Sequence, residues 1–198
     1  MLMSDKSDSS DRSDFKLRRK APYFQSVSLF MPDSEKNCVR VLGIDPGTRI
    51  CGYGVVDSRP GKLQTVDYGV VRAKDKTPLY KRLHIIHLGL TEIFGRWRPQ
   101  VAAVEGIFHG INARTAIKIG EGRGIALAAG AAAEVEVVEY SPRTVKKSVT
   151  GTGSAHKSQV QEMVRLQLEL PELPEPDDAA DALALAICHC HRLRSGTL

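Results

Sequence analysis

The run VRVLGIDPGTRICGYGVVD, Val39 to Asp57, sets two apolar segments around a single acid. Val39, Val41, Leu42 and Ile44 are β-formers with the density of a buried strand. That strand runs into Asp45, followed at once by Pro46 and Gly47, which break it. A second apolar segment begins near Gly52 and Gly54 and ends at Val56. A carboxylate at the end of a buried strand is costly unless something pairs with it. Asp45 is therefore the first candidate for function, with an Asx-turn residue before Gly47 as the plainer reading.

Outward from this hairpin, Thr65–Val71 reads as a third strand, so the domain opens as an antiparallel meander. Thr77 is expected to cap a helix with Pro78 at its first position. Leu79, Leu83, Ile86, Leu90, Ile93 and Trp97 continue it at helical spacing. Val101–Val104 is a fourth strand ending at Glu105, and Val135–Val138 a fifth. Between them Asn112–Ala133 is helical, with small residues at Ala116, Gly120, Gly124 and Ala128. That stripe permits close approach, either of the sheet or of a twofold-related copy. Ser141 with Pro142 starts a short helix, and Ala155–Leu168 and Ala179–Leu193 are the last two. Strands followed by strand–helix alternation predict an α/β domain with a five-stranded mixed sheet and helices on both faces.

The chain has 198 residues, room for one domain of ordinary size with a real core. Residues 1–37, rich in Ser and Asp with a short basic cluster, are expected to form a disordered arm. They lack the apolar core of a signal peptide, and Met31 is a second candidate start. Residues 38–194 form the folded domain and 195–198 a tail. No apolar run is long enough to span a bilayer, so no membrane partner is expected. Four scattered cysteines make no disulfide framework, which points to a reducing cytoplasm. From position 39 onward 21 Lys and Arg face 17 Asp and Glu, a mildly basic balance compatible with nucleic acid.

Near the C-terminus, PDDAADALALAICHCH places Asp178 and Asp181 three apart at a helix start, on one face. If the strands ending at Asp45 and Glu105 are parallel neighbours, four acids converge. Converging carboxylates stay ionised only with cations beside them, and hard oxygen ligands suit Mg²⁺ or Mn²⁺. Two such ions about 4 Å apart activate water and stabilise a leaving oxygen in phosphodiester hydrolysis. Each acid singly has a plainer reading: Asp177 or Asp178 as a helix cap, Glu105 as a salt-bridged loop residue. Cys188–His191, CHCH, does not make a zinc site, because consecutive helical residues point about 100° apart and cannot surround one ion. Cys188 is expected in the core.

Four blocks, LGIDPGTRICGYGVV, VEGIFHGINARTAIKIGEGRG, EYSPRTVKKSVTGTGSAHKSQV and DAADALALAICHCH, resemble in order the RuvC family of bacterial Holliday-junction resolvases. The resemblance runs from about Val39 to Arg192. It implies an RNase H-like fold, a homodimer and Mg²⁺-dependent paired nicking of four-way DNA junctions during recombination and repair. By position, Asp45, Glu105, Asp178 and Asp181 match the family's catalytic, metal-binding acids, with Asp178 either a ligand or a proton carrier. Two ions per site and substitution by Mn²⁺ are implied as well. Lys146 and Lys157 match DNA-contacting positions, and Phe108 matches an aromatic that stacks on a base at the crossover. The glycines near Asp45 would admit the DNA backbone. RuvA and RuvB homologues are the implied branch-migration partners. A sugar-kinase or actin-like ATPase module also begins strand–Asp–x–Gly, but it needs a second lobe for which there is no length.

Overall fold

A computed structural model describes residues 38–106 and 113–196. The expected arm, residues 1–37, lies outside the described residues, as do Phe108 and residues 197 and 198. Strands β1 (Val39–Asp45), β2 (Ile50–Arg59) and β3 (Lys62–Arg72) form the predicted meander. Helix α1 (Leu79–Trp97) leads to β4 (Val101–Glu105), and α2 (Ala113–Ala132) leads to β5 (Glu136–Tyr140). Helices α3 (Pro142–Thr150), α4 (Lys157–Gln167) and α5 (Asp177–Ser195) complete the chain. The sheet order is β3-β2-β1-β4-β5. β1 is antiparallel to β2 and parallel to β4, which is parallel to β5, so the sheet is mixed as expected.

Strand alternation assigns the two faces. Leu42, Ile44, Ala102 and Val104 bury one face under α1 and α2, with Ile86, Leu90, Phe94, Ala126 and Ala129. Val41, Val101 and Ala103 bury the other under α3, α4 and α5, with Val145, Val164, Leu183 and Ile187. β2 is longer than its apolar run because polar residues near its end are compensated. Asp57 is 4% exposed, and its carboxylate accepts from Arg40 Nε at 2.7 Å and Nη2 at 2.9 Å. Arg40 stands directly opposite Asp57 in the strand register, so the buried acid and its base arrive together.

Three boundaries move for identifiable reasons. Thr77 does not cap α1: Pro78 is itself the N-cap, in an extended conformation, and no side chain caps the helix. β5 starts at Glu136 rather than Val135, because Glu134 takes a left-handed φ of 58° and Val135 N donates to Gly130 O. It ends two residues later than expected, at Tyr140, whose carbonyl accepts from Gly106 N. Ser141 is the cap the sequence predicts: its Oγ accepts from Thr144 N at 2.9 Å, ahead of Pro142.

The last helix lies on bare backbone. A Cβ on Gly43 would stand 1.9 Å from Ala182 O, and one on Gly52 would stand 1.9 Å from Asp178 O. Gly54 would strike Leu183. Gly52 and Gly54 pair with Asp45 and Gly43 across β1 and β2, so all of them face α5. The expectation that Gly52 and Gly54 admit DNA is therefore corrected: they admit a helix of the same chain. Gly43→Ala is expected to destabilise the protein by roughly 3 kcal/mol or more in chemical denaturation, since neither backbone can yield. Gly95→Ala, in open space on α1, is expected to stabilise it by roughly 0.5–1 kcal/mol through helix propensity.

Candidate active site

Ile44 pairs with Val104 in the parallel ladder of β1 and β4, so Asp45 and Glu105 are the next residues of adjacent strands. Both fall on the α5 side by alternation. Helix α5 starts over this edge and brings Asp181 from its second turn. Asp45, Glu105 and Asp181 line one cavity of about 210 Å³ with Lys146, Lys157, Pro142, Val145, Val160, Ala184 and Leu185. Lys146 comes from α3, whose Val145 and Val149 are buried, and Lys157 from the first residue of α4. Asp178 is held beside Gly52 by its backbone, and its side chain does not line this cavity. Its charge still reaches Asp45.

The electrostatics are those of crowded, partly desolvated anions. The Asp45 carboxyl is pushed up to about 7, first by burial and then by Glu105, Asp181 and Asp178; Lys157 pulls it back only in part. Glu105 is raised by burial and by Asp181, against Lys146 and Lys157. Lys157 Nζ stands 3.0 Å from Asp181 Oδ2 and 3.2 Å from Asp177 Oδ2. Burial opposes the Lys157 ammonium, but the hydrogen bonds to Asp181 and Asp177 prevail and raise its pKa. Gln161, one turn along α4, donates to Asp177 Oδ1 at 2.8 Å.

The donor set is all hard carboxylate oxygen and carries more negative charge than its lysines neutralise, which fits a divalent cation. Among the described residues no three His, Cys, Asp or Glu side chains close on one ion-sized point. The resident positive group is Lys157. In the CHCH segment Cys188 and Cys190 are buried thiols, as expected for the core, all four cysteines are free, and the two histidines diverge. His189 Nδ1 lies 2.7 Å from Tyr140 Oη inside the core, whereas His191 reaches Ser148. The Tyr140–His189 pair joins α5 to β5, next to the strand bearing Glu105.

Sequence reasoning missed Asp177 as anything other than a cap. It sits in the first turn of α5, where its charge suits the helix dipole, yet it makes no cap hydrogen bond and instead holds Lys157 and Gln161. The signal was present as matched spacing of four: 157 and 161 on α4, 177 and 181 on α5. The small-residue stripe also resolves. Among the α2 residues whose burial is described, Gly122, Ala126, Ala129 and Gly130 are buried, while Gly124 and Ala128 are exposed and Ile117 is 63% exposed. A Cβ on Gly122 would press on the Gly47 backbone beside Asp45, and one on Gly124 would meet nothing.

A mixed sheet of this order, with acids at the ends of two central parallel strands and at the start of the helix crossing them, defines an RNase H-like nuclease. The family model described as crossover junction endodeoxyribonuclease RuvC matches residues 41–189. The RuvC endonuclease of Desulforamulus reducens is 50% identical over 133 residues, 67% of this chain and 82% of that protein. That of Halothermothrix orenii is 44% identical over 133 residues, 67% of this chain and 81% of that protein. The solved RuvC of T. thermophilus in complex with Holliday junction substrate superposes with a TM-score of 0.76 at 38% identity. It covers 80% of this chain and 97% of its own. The yeast mitochondrial resolvase Ydc2 shares the fold at 15% identity and a TM-score of 0.56, covering 78% of this chain and 80% of its own. The chain belongs to the RuvC family of crossover junction endodeoxyribonucleases.

The raised Asp45 pKa has a stability consequence whose sign is fixed. The folded state binds this proton more tightly than the unfolded state, so metal-free stability falls as pH rises from about 4 to about 7. Asp45→Asn keeps the shape and removes the charge. It is expected to stabilise the metal-free protein at pH 8 by roughly 2–4 kcal/mol in urea titration, an advantage that vanishes below about pH 4.

Proposed function

We propose that this protein resolves four-way DNA junctions as a homodimer, by paired, divalent-cation-dependent nicks, with residues 38–194 as the nuclease domain. The observation that carries the reading is the convergence of Asp45, Glu105 and Asp181 on one cavity walled by Lys146 and Lys157. The solved T. thermophilus relative holds a Holliday junction substrate, which supports the same substrate here.

In this reading Asp45, Glu105, Asp178 and Asp181 hold Mg²⁺, two ions per site, with Mn²⁺ as a substitute. The bound cation supplies a Lewis acid that acidifies water and offsets charge on the phosphate. Asp45 must be deprotonated to serve, and its raised pKa makes its ionisation depend on that positive charge. Lys146 and Lys157, from the helices that flank the cavity, contact phosphates without reading bases. Val145, Val160 and Leu185 give the site a dry wall that strengthens these interactions. Phe108, three residues beyond Glu105 and outside the described residues, stacks on a base at the crossover. Asp178, off the cavity wall, suits proton transfer or a second cation.

Two like strands need two equal sites, which a twofold dimer supplies. The exposed Gly124, Ala128 and Ile117 of α2 support that helix as the contact. Among the described residues no helix is long and apolar enough to cross a membrane; cytoplasmic action follows from the family's DNA substrate. Branch-migration partners of the RuvA and RuvB type follow from the family.

A synthetic four-way junction with Mg²⁺ is expected to yield symmetric ligatable nicks. Asp45→Asn should cut at least about 100-fold more slowly yet still shift the junction in a gel. Wild-type cutting by that variant would refute the metal assignment. Gly124→Arg, placed in open space, should leave the fold intact by circular dichroism and yield monomers in sedimentation velocity.

A further inference from the structure

Lys157 does more in this geometry than wait for a phosphate. It bridges Asp177 and Asp181, residues one turn apart on α5, from a position one turn before Gln161 on α4. Asp177 lies outside the cavity wall and is 66% exposed, so it is a dock rather than a proposed cation ligand. Asp181, by contrast, lines the cavity with Asp45 and Glu105. Lys146 lines the same cavity but makes no ion pair among the described residues. The two lysines are therefore not equivalent: one is free to meet a ligand, and the other is already engaged with an acid that a cation would need.

We infer that Lys157 is an internal counter-ion that competes with the divalent cation for Asp181, with Asp177, itself tied to Gln161, holding it in the competing position. The inference rests on the metal reading of this site. Cation binding displaces the ammonium from Asp181, and the freed side chain then faces the phosphate that the same cavity receives. Metal and DNA phosphate thus assist one another, because each removes what opposes the other. In the resting protein the ammonium partly offsets the carboxylate cluster, which would otherwise repel itself.

The test is calorimetric titration of the full chain with Mn²⁺ in the absence of DNA. Lys157→Met is expected to bind Mn²⁺ roughly two- to fivefold more tightly than wild type, the scale of one partly exposed ion pair. Lys157→Arg, which keeps the pairing, should retain wild-type affinity. Lys146→Met removes an equal charge from the same cavity, one that acts on Glu105 through space without an ion pair, and should tighten binding clearly less than Lys157→Met does. Equal tightening by Lys157→Met and Lys146→Met would mean general electrostatics and would overturn the inference alone. Unchanged or weaker binding by Lys157→Met would also overturn it. Absence of Mn²⁺ binding by wild type and all variants would overturn both this inference and the metal reading beneath it. Lys157 is half exposed, and Lys157→Gln provides a second neutral variant should the methionine perturb folding.

Discussion

The structure depends on one close approach, that of helix α5 to the backbone of β1 and β2. A helix normally stands off a sheet by the depth of two layers of side chains. Here Gly43, Gly52 and Gly54 remove one layer, and helix backbone lies against strand backbone. The acids at the start of α5 are thereby carried down to the level of the strand ends. Asp181 reaches the cavity of Asp45 and Glu105 because its helix sits that low. The same contact buries α5 almost completely from Ala179 to Cys190, apart from Asp181. The functional acid is thus the one partly exposed residue in an otherwise buried run.

Packing and function oppose each other along this edge. Burial gives the fold its core, but it also desolvates carboxylates that repel one another. The molecule relieves part of that conflict with its own cations. Lys157 is tied to Asp181, while Lys146 acts on Glu105 through space. Away from the site, the buried Asp57 carboxylate is matched by Arg40 across β1 and β2. The contrast separates structural from functional charge: one is satisfied within the chain, and the other is left short of positive charge.

Much of this was legible in the sequence. Apolar alternation placed β1 and β4, and the acids that end them, because strand periodicity is local and the acids interrupt it sharply. Ser141–Pro142 announced α3 because a cap and a first-turn proline act within one turn. Less legible were features that depend on partners far along the chain. Nothing local in β2 indicates that Gly52 and Gly54 face a helix more than a hundred residues later. Asp57 reads as a strand end until Arg40 is known to stand opposite it. Asp177 reads as a cap until Lys157 and Gln161 arrive from α4. The start of β5 was misplaced because Val135 is apolar, yet its amide is used to close the turn after α2.

The order of elements along the chain gives the site a timetable. Asp45 is carried by the first described strand, but α5, the last described element, must still dock on it. Until it does, the glycine-lined face of β1 and β2 has no cover, and the edge carries only Asp45 and Glu105. A truncated or nascent chain therefore exposes an apolar surface fit for chaperones and holds an incomplete set of acids. The full set of acids exists only once that helix has docked, so the nuclease centre is a product of long-range folding.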